Sequence, residues 1–232
     1  GTTPAESASC FVNPLTALGL VTTAIQEGHR AMVQTAAASA LGRMLNRICQ
    51  ADGVMLVNIV RSTEQAATLR EDGATYICNS SDESFRKDLD EALTKTGASV
   101  VFDAIGGGKL VGQILGQMEA VASKNSETYS VYGSTQRMAA YLYGSLDPSP
   151  TDLMSTLGRY WTVSGWLLGN FMEYQGPDVL GALKERVGSE LTTTFRTTYT
   201  DTISLAEVLD PARIAEYCKV STGRKYLINP TL

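Results

Sequence analysis

The segment Ala31-Met-Val-Gln-Thr-Ala-Ala-Ala-Ser-Ala-Leu-Gly42 constrains the fold of this chain more than any other. An apolar run passes straight into small residues ending in glycine, and then into a helical pattern. A strand that stops against a helix N-terminus presents unpaired backbone N–H groups and the positive end of the helix dipole, and small side chains let an anion approach both. The spacing Ala37-x-Ser39-x-x-Gly42 keeps only the last glycine of the Gly-x-Gly-x-x-Gly pattern of dinucleotide sites. Gly42 still allows close contact between helix and strand, and the Ser39 hydroxyl offers a further donor to a phosphate oxygen. A turn of small residues packed for steric reasons alone has the same pattern, so both readings stand at this point.

The residues downstream of Gly42 favour the nucleotide. Val54-Met-Leu-Val-Asn-Ile-Val60 reads as a buried parallel strand, with Leu45 to Ala51 as the crossover helix, which makes a strand–helix–strand unit. In such units the residue just past the second strand meets the adenosine ribose: an acidic side chain binds the free 2′-hydroxyl of NAD, and an arginine accommodates the 2′-phosphate of NADP. Here the strand runs into Arg61-Ser62-Thr63-Glu64. Arg61 offers a planar fork of donors and Ser62 and Thr63 add hydroxyls, so NADPH is favoured over NADH. The alternative makes Arg61 a solvated loop residue and Ser62 or Thr63 a helix N-cap. For the hydroxyls the two roles are compatible.

The chain of 232 residues, 44% hydrophobic and 19% charged, is long enough for one large α/β domain spanning 1–232. A net charge of −5 with no Lys/Arg block argues against nucleic acid or an anionic membrane as partner. No apolar run approaches the ~20 residues of a membrane span, and the N-terminal residues lack the pattern of a signal peptide, so a cytoplasmic location is expected. The cysteines Cys10, Cys49, Cys78 and Cys218 form no Cys-x-x-Cys pair, and the single histidine, His29, follows Gly28 at a helix end, where it can cap carbonyls. No metal site is expected.

Strands are expected at Ala31, Val54 to Val60, Thr75 to Cys78, Ser99 to Asp103, Ala139 to Tyr143 and Tyr160 to Leu168. Helices are expected at Asn13 to Glu27, Thr63 to Glu71, Ser84 to Lys95, Lys109 to Ala122, Pro177 to Leu191, Leu205 to Leu209 and Ala212 to Lys219. This alternation predicts a Rossmann-type, doubly wound parallel sheet with helices on both faces. Right-handed crossovers then bring Ala37 to Gly42, Arg61 to Thr63, Asp103 to Gly108 and Gly144 to Asp147 to one crevice. The polar stretch Ser123 to Gln136 reads as an excursion before the fifth main strand.

The runs Phe11-Val-Asn-Pro-Leu-Thr-Ala-Leu18, Ala36-Ala-Ala-Ser-Ala-Leu-Gly42, Val101-Phe-Asp-Ala-Ile-Gly-Gly107 and Gly223-Arg-Lys-Tyr-Leu-Ile-Asn-Pro230 together resemble the medium-chain dehydrogenase/reductase superfamily. The nearest branches are the zinc-independent NADPH:quinone oxidoreductases and the enoyl thioester reductases. Family members begin with a GroES-like catalytic domain, and this chain starts where that domain would hand over, so the resemblance implies a missing partner domain toward which the segment 195–232 would reach. It also implies that Thr16 lies near the nicotinamide, that Ala38, Ser39, Leu41 and Gly42 form the pyrophosphate turn, and that Arg61 and Ser62 form the NADP-selecting corner. Ala104, Ile105 and Gly106 match backbone lining the cofactor, although Gly106-Gly-Gly108 also reads as a flexible turn. Tyr143, Gly144 and Ser145 match the loop after the fifth strand, Trp166 and Leu167 a segment reaching the nicotinamide, and Lys225 a lysine that can approach a phosphate. Many members pair the edge strand corresponding to Tyr160–Leu168 across a two-fold axis, which implies a homodimer.

The implied chemistry is hydride transfer from NADPH to a small-molecule acceptor, a quinone or activated alkene. No Tyr-x-x-x-Lys pair is present and no proton donor is identified, so the catalytic residues stay unassigned and the chain alone is expected to be inactive. A non-catalytic NADPH-binding or dimerisation module, and a methyltransferase using S-adenosylmethionine, remain as alternatives. Arg61 counts against the methyltransferase, which needs an acidic residue at that corner.

Overall fold

In the computed structural model, residues 1–218 and 225–232 are described. The short helix α1 (Pro4–Ser7) precedes α2 (Val12–Gln26), β1 (Ala31–Gln34), α3 (Ala40–Asp52), β2 (Met55–Val60), α4 (Thr63–Glu71) and β3 (Tyr76–Asn79). The chain continues through α5 (Phe85–Thr96), β4 (Val100–Asp103), β5 (Gly106–Gly108), α6 (Leu110–Lys124), β6 (Met138–Leu142), β7 (Asp147–Thr151) and β8 (Trp161–Gly165). It ends with α7 (Leu168–Tyr174), α8 (Pro177–Ser189), β9 (Asp201–Ile203), a 3-10 turn at Glu207–Leu209, α9 (Pro211–Tyr217) and β10 (Tyr226–Ile228).

Six strands form one wholly parallel sheet in the order β3-β2-β1-β4-β6-β8. The direction of winding reverses between β1 and β4, the place where open α/β sheets hold ligands. β1 and β4 are buried throughout because helices cover both faces. On one face α2, α3 and α8 pack Leu18, Leu45, Ile48 and Val187 over Met32 and Phe102; on the other, α5 and α6 pack Leu89, Leu93, Ile114 and Met118 over Val33 and Val101. The alternation of Val100 and Phe102 with Val101 between the two faces follows the two-residue period of a strand. The Rossmann-type doubly wound expectation therefore holds.

Several local expectations change. The crossover helix starts at Ala40 rather than Leu45, because Ser39 caps it. Gly106–Gly108 is a strand rather than a flexible turn: it pairs with β7, and a Cβ on Gly107 would stand 2.4 Å from the Ser149 carbonyl oxygen. The eighth strand stops at Gly165, and Leu167 opens α7. The helix expected at Leu205 to Leu209 is only the 3-10 turn. α9 ends at Tyr217, so Lys219, expected to close it, lies outside the described residues, as do Gly223 and Arg224 of the last motif.

At the amino edge of the sheet a polar cluster joins α2 to the strands. Glu27 accepts hydrogen bonds from the Tyr141 hydroxyl and from Arg137 at 3.1 Å. His29 was expected to cap carbonyls; instead its Nδ1 lies 2.7 Å from Ser99 Oγ and its Nε2 faces Glu27 at 3.7 Å. Burial holds the imidazole below the usual histidine range against the pull of Glu27, and burial together with Glu27 pushes the Tyr141 hydroxyl up to about 12.

Candidate functional site

The chain leaves β1 through Thr35 and takes a left-handed conformation at Ala36, φ +48°. Ala37 N–H then donates to Ile59 O (3.1 Å), tying the turn to β2. Ser39 Oγ accepts from Gly42 N–H at 3.1 Å, and Arg43 N–H to Ser39 O (2.9 Å) is the first full helical bond. The amides of Ala40 and Leu41 therefore sit at the open end of α3, where a helix has no internal acceptors to offer. A Cβ on Gly42 would lie 2.3 Å from Ala37 O, so only glycine lets α3 approach the end of β1 this closely. The hydroxyl proton of Ser39 stays available as a donor, so capping and phosphate contact are compatible.

Beneath this turn runs a buried amide ladder that sequence reasoning missed. Gln34 Nε2 donates to Gly42 O (3.0 Å) and to Asn58 Oδ1 (2.7 Å), and Asn58 Nδ2 donates to Tyr76 O (3.2 Å). Three neighbouring strands are thereby locked to the first turn of α3. A second missed group closes the switch point: Thr35 Oγ1 donates to Asp103 Oδ1 (2.6 Å) and accepts from Ala104 N–H (2.9 Å). Asp103 also accepts from Ile105 N–H (3.2 Å) and Gly106 N–H (2.8 Å). The available signal was polar residues inside apolar strands, Gln34 and Thr35, Asn58, and Asp103, since a buried polar group persists only with a partner.

Ala104, Ile105 and Gly106 are thus pinned beside the turn through Asp103 and Thr35. Gly144 presses on Ala104, where a Cβ would stand 2.3 Å from its carbonyl oxygen. Arg61 is exposed just past β2, its backbone N–H held by Gln65 Oε1 (3.0 Å) and its carbonyl by Ser81 Oγ (3.0 Å). Ser62 is the N-cap of α4, accepting from Gln65 N–H at 3.3 Å. Its hydroxyl also holds the Glu64 carboxyl below the usual range.

Tyr143, Gly144 and Ser145 meet Leu167 and Trp166 around a cavity of about 460 Å³, with Leu142, Gly165 and Asn170 completing its wall. The Trp166 side chain is engaged in packing: Nε1 donates to Thr23 Oγ1 (3.0 Å), and the ring lies against Gly19 and 5.5 Å from the Phe171 ring. Thr16 is buried on α2. That helix ends where β1 begins and so returns its first turns to the carboxyl edge, in the apolar cluster that Leu41, Tyr143 and Trp166 also join. Lys225 precedes β10 in the separate β9–β10 ribbon; its ammonium lies 5.9 Å from the centre of the Tyr199 ring, and burial holds its pKa below the usual lysine range. No contact links it to the turn among the described residues.

Among the described residues no three His, Cys, Asp or Glu side chains gather to hold a metal ion, and no helix is long and apolar enough to cross a membrane. The residues present fit a dinucleotide: open amides at a helix start, small side chains around them, and an exposed arginine past the neighbouring strand.

No protein-family model and no curated protein matches the chain. Solved structures do. A protein from Mesorhizobium loti, provisionally assigned as an NADPH:quinone reductase, is 25% identical with a TM-score of 0.77, covering 97% of this chain and 60% of that one. The quinone oxidoreductase of Pseudomonas syringae pv. tomato is 18% identical with a TM-score of 0.72, over 99% and 66%. The 2-enoyl thioester reductase of Candida tropicalis, in its complex with NADP and crotonyl-CoA, is 17% identical with a TM-score of 0.65, over 87% and 55%. The fold expected from the sequence resemblance is thus shared with these reductases, and the chain spans about three fifths of their length.

Proposed function

We propose that this chain is the NADPH-binding part of an oxidoreductase that passes hydride from NADPH to a quinone or an activated alkene. The observation that carries the proposal is the union, at the carboxyl ends of the neighbouring strands β1 and β2, of the open α3 amides, the close approach of Gly42 and the exposed Arg61. The shared fold of reductases named for NADPH, quinones and enoyl thioesters supports it.

In this reading Ala38, Ser39, Leu41 and Gly42 receive the pyrophosphate on backbone donors, and Arg61 with Ser62 receives the 2′-phosphate. Ala104, Ile105 and Gly106 line the path with backbone, held in place by Asp103, while Thr16, Tyr143, Gly144, Ser145 and Leu167 border the nicotinamide end. Trp166 contributes by fixing the β8–α7 junction against α2, and Lys225 stands before the separate β9–β10 ribbon. The bound cofactor supplies the hydride; the chain's own part is to orient it and to exclude water. A further GroES-like domain completes the acceptor pocket. The exposed apolar residues Leu205, Leu209, Tyr217 and Ile228 near the C-terminus give it a surface to pack on. We further propose a homodimer through β8, whose outer edge has no strand partner among the described residues, and a cytoplasmic location, in keeping with four free cysteines.

Calorimetric titration with NADPH and NADH tests the assignment. NADPH should bind tighter by about 1.5–3 kcal/mol, and Arg61→Ala should remove most of that preference while leaving NADH affinity in place. Failure of both nucleotides to bind at millimolar concentration would reduce the turn to a packing device.

A further inference from the structure

Between α5, α6 and the loops 129–133 and 154–159 lies a cavity of about 680 Å³, which shares no residue with the one beside Gly144. Its volume is that of a small-molecule site. One buried carboxylate holds both loops. Glu119 of α6 accepts from Ser134 N–H (2.6 Å) and from the hydroxyls of Ser134 (2.8 Å) and Ser123 (2.7 Å). Gly133 and Gly158, at φ +93° and +68°, press on the same carboxylate, where a Cβ would stand 2.6 Å and 2.9 Å from its atoms. The polar excursion 123–136 is therefore anchored, and what it presents is aromatic surface. Tyr129, Val131 and Tyr132 are 93%, 76% and 72% exposed, and all three line the cavity with Phe85, Leu89 and Met154. Large apolar side chains left in water around a concavity are a mark of binding.

The charges on the lining restrict what can bind. Three side chains carry them: Arg86, Glu119 and Arg159. Glu119 is taken up by the two serines. Asp90, one turn along α5 from Arg86, is bound instead by Gln117 (2.6 Å) and Lys124 (2.9 Å). Arg159 donates to Gly158 O (2.9 Å), and neither arginine has a carboxylate partner among the described residues. Both are exposed. Open guanidiniums beside open apolar surface suit an anion with an apolar body. We propose that this cavity binds a small amphipathic organic anion, its carboxylate or phosphate on Arg86 and Arg159 and its apolar body over Phe85, Met154 and the two tyrosines. The site is separate from the nucleotide turn and does not depend on NADPH.

Calorimetric titration with octanoate, octyl phosphate, octan-1-ol and acetate tests this. At least one of the two octyl anions should bind, and the tighter of them assigns the head group. Octan-1-ol, which has the same body without the charge, should bind about tenfold more weakly, and acetate, which has the charge without the body, should not bind. The double variant Arg86→Ala/Arg159→Ala should bring the anion down to the affinity of octan-1-ol while its melting temperature stays that of the parent, both side chains being exposed. Failure of both anions to bind at millimolar concentration overturns the inference, as does equal affinity for octan-1-ol. Binding to the double variant as tight as to the parent also overturns it, because the anion then sits elsewhere. An affinity that weakens as the protein is concentrated would assign the cavity to a contact between copies of the chain and overturn it as well.

Discussion

The two ends of the parallel sheet both carry polar groups, and they treat them differently. At the amino edge, side chains answer one another: Glu27 takes Tyr141 and Arg137, His29 takes Ser99, and the far side of the imidazole faces Glu27. At the carboxyl edge, polar side chains are spent on fixing backbone. Thr35 and Asp103 set the loop after β4, and Gln34 and Asn58 set the first turn of α3. The amides of Ala40 and Leu41 stay open at the start of α3, while Gln34 Oε1 and the Tyr143 hydroxyl are buried with no hydrogen-bond partner among the described residues. Side chains bonded to one another stabilise a fold, whereas a rigid frame with open donors prepares a site. Variants at the amino edge should therefore change stability without changing nucleotide affinity, and variants at the carboxyl edge should change affinity.

The largest effect is expected for Gly42→Val. Its Cβ would meet Ala37 O at 2.3 Å, and backbone must move to relieve the clash. A loss on the order of 3 kcal/mol in urea denaturation is expected, together with loss of NADPH binding in calorimetry. Next comes Glu27→Ala, which leaves Arg137 and Tyr141 without their acceptor. It should lower stability by about 1–2 kcal/mol while NADPH affinity stays that of the parent; a weakened affinity would break the separation of the two edges. Ala36→Gly should gain up to about 1 kcal/mol, because the left-handed φ of +48° costs alanine what it does not cost glycine, less the added flexibility of the unfolded chain.

The smallest effect is a pH slope. Burial depresses the folded-state pKa of His29 below its ordinary value of 6.5. Below 6.5 the unfolded chain takes up the proton first, so the contribution is fully present above 6.5 and is lost as pH falls from there through the folded value. Melting temperatures measured between pH 7.5 and 5.5 should fall, and His29→Asn should flatten that fall. An unchanged slope would assign the acid sensitivity to other groups.

Local features made much of this architecture legible. The passage from Ala31 to Gly42 announces strand, turn and helix within twelve residues, and helix α4 has the expected bounds Thr63–Glu71 because Ser62 is a local cap. The pieces that needed the third dimension lie far apart in the chain. Trp166 stands in a segment expected to reach the nicotinamide, yet its indole N–H is donated to Thr23, 143 residues away, and no local pattern tells an indole in a pocket from one in a helix contact. The glycines at 106–108 read as a flexible turn because their partner strand β7 carries two prolines and little apolar character; only the close approach of Ser149 O to Gly107 shows why side chains are excluded there. Lys225 matched a phosphate-approaching position by order along the chain, but the β9–β10 ribbon places it over Tyr199.

By itself the sequence determined the alternation of strands and helices, the place of the small-residue turn after β1 and the arginine past the second strand, since periodicity, capping and small-residue runs act over a few neighbours. The tertiary structure alone decided which polar groups became frame and which stayed open. Thr35 meets Asp103 across 68 residues, and Gln34 meets Asn58, only because the parallel order β2-β1-β4 sets those strands side by side. A hydrogen-bonding group is spent or spare according to what lies within about 3 Å of it, and that neighbourhood is set by the packing of the whole sheet.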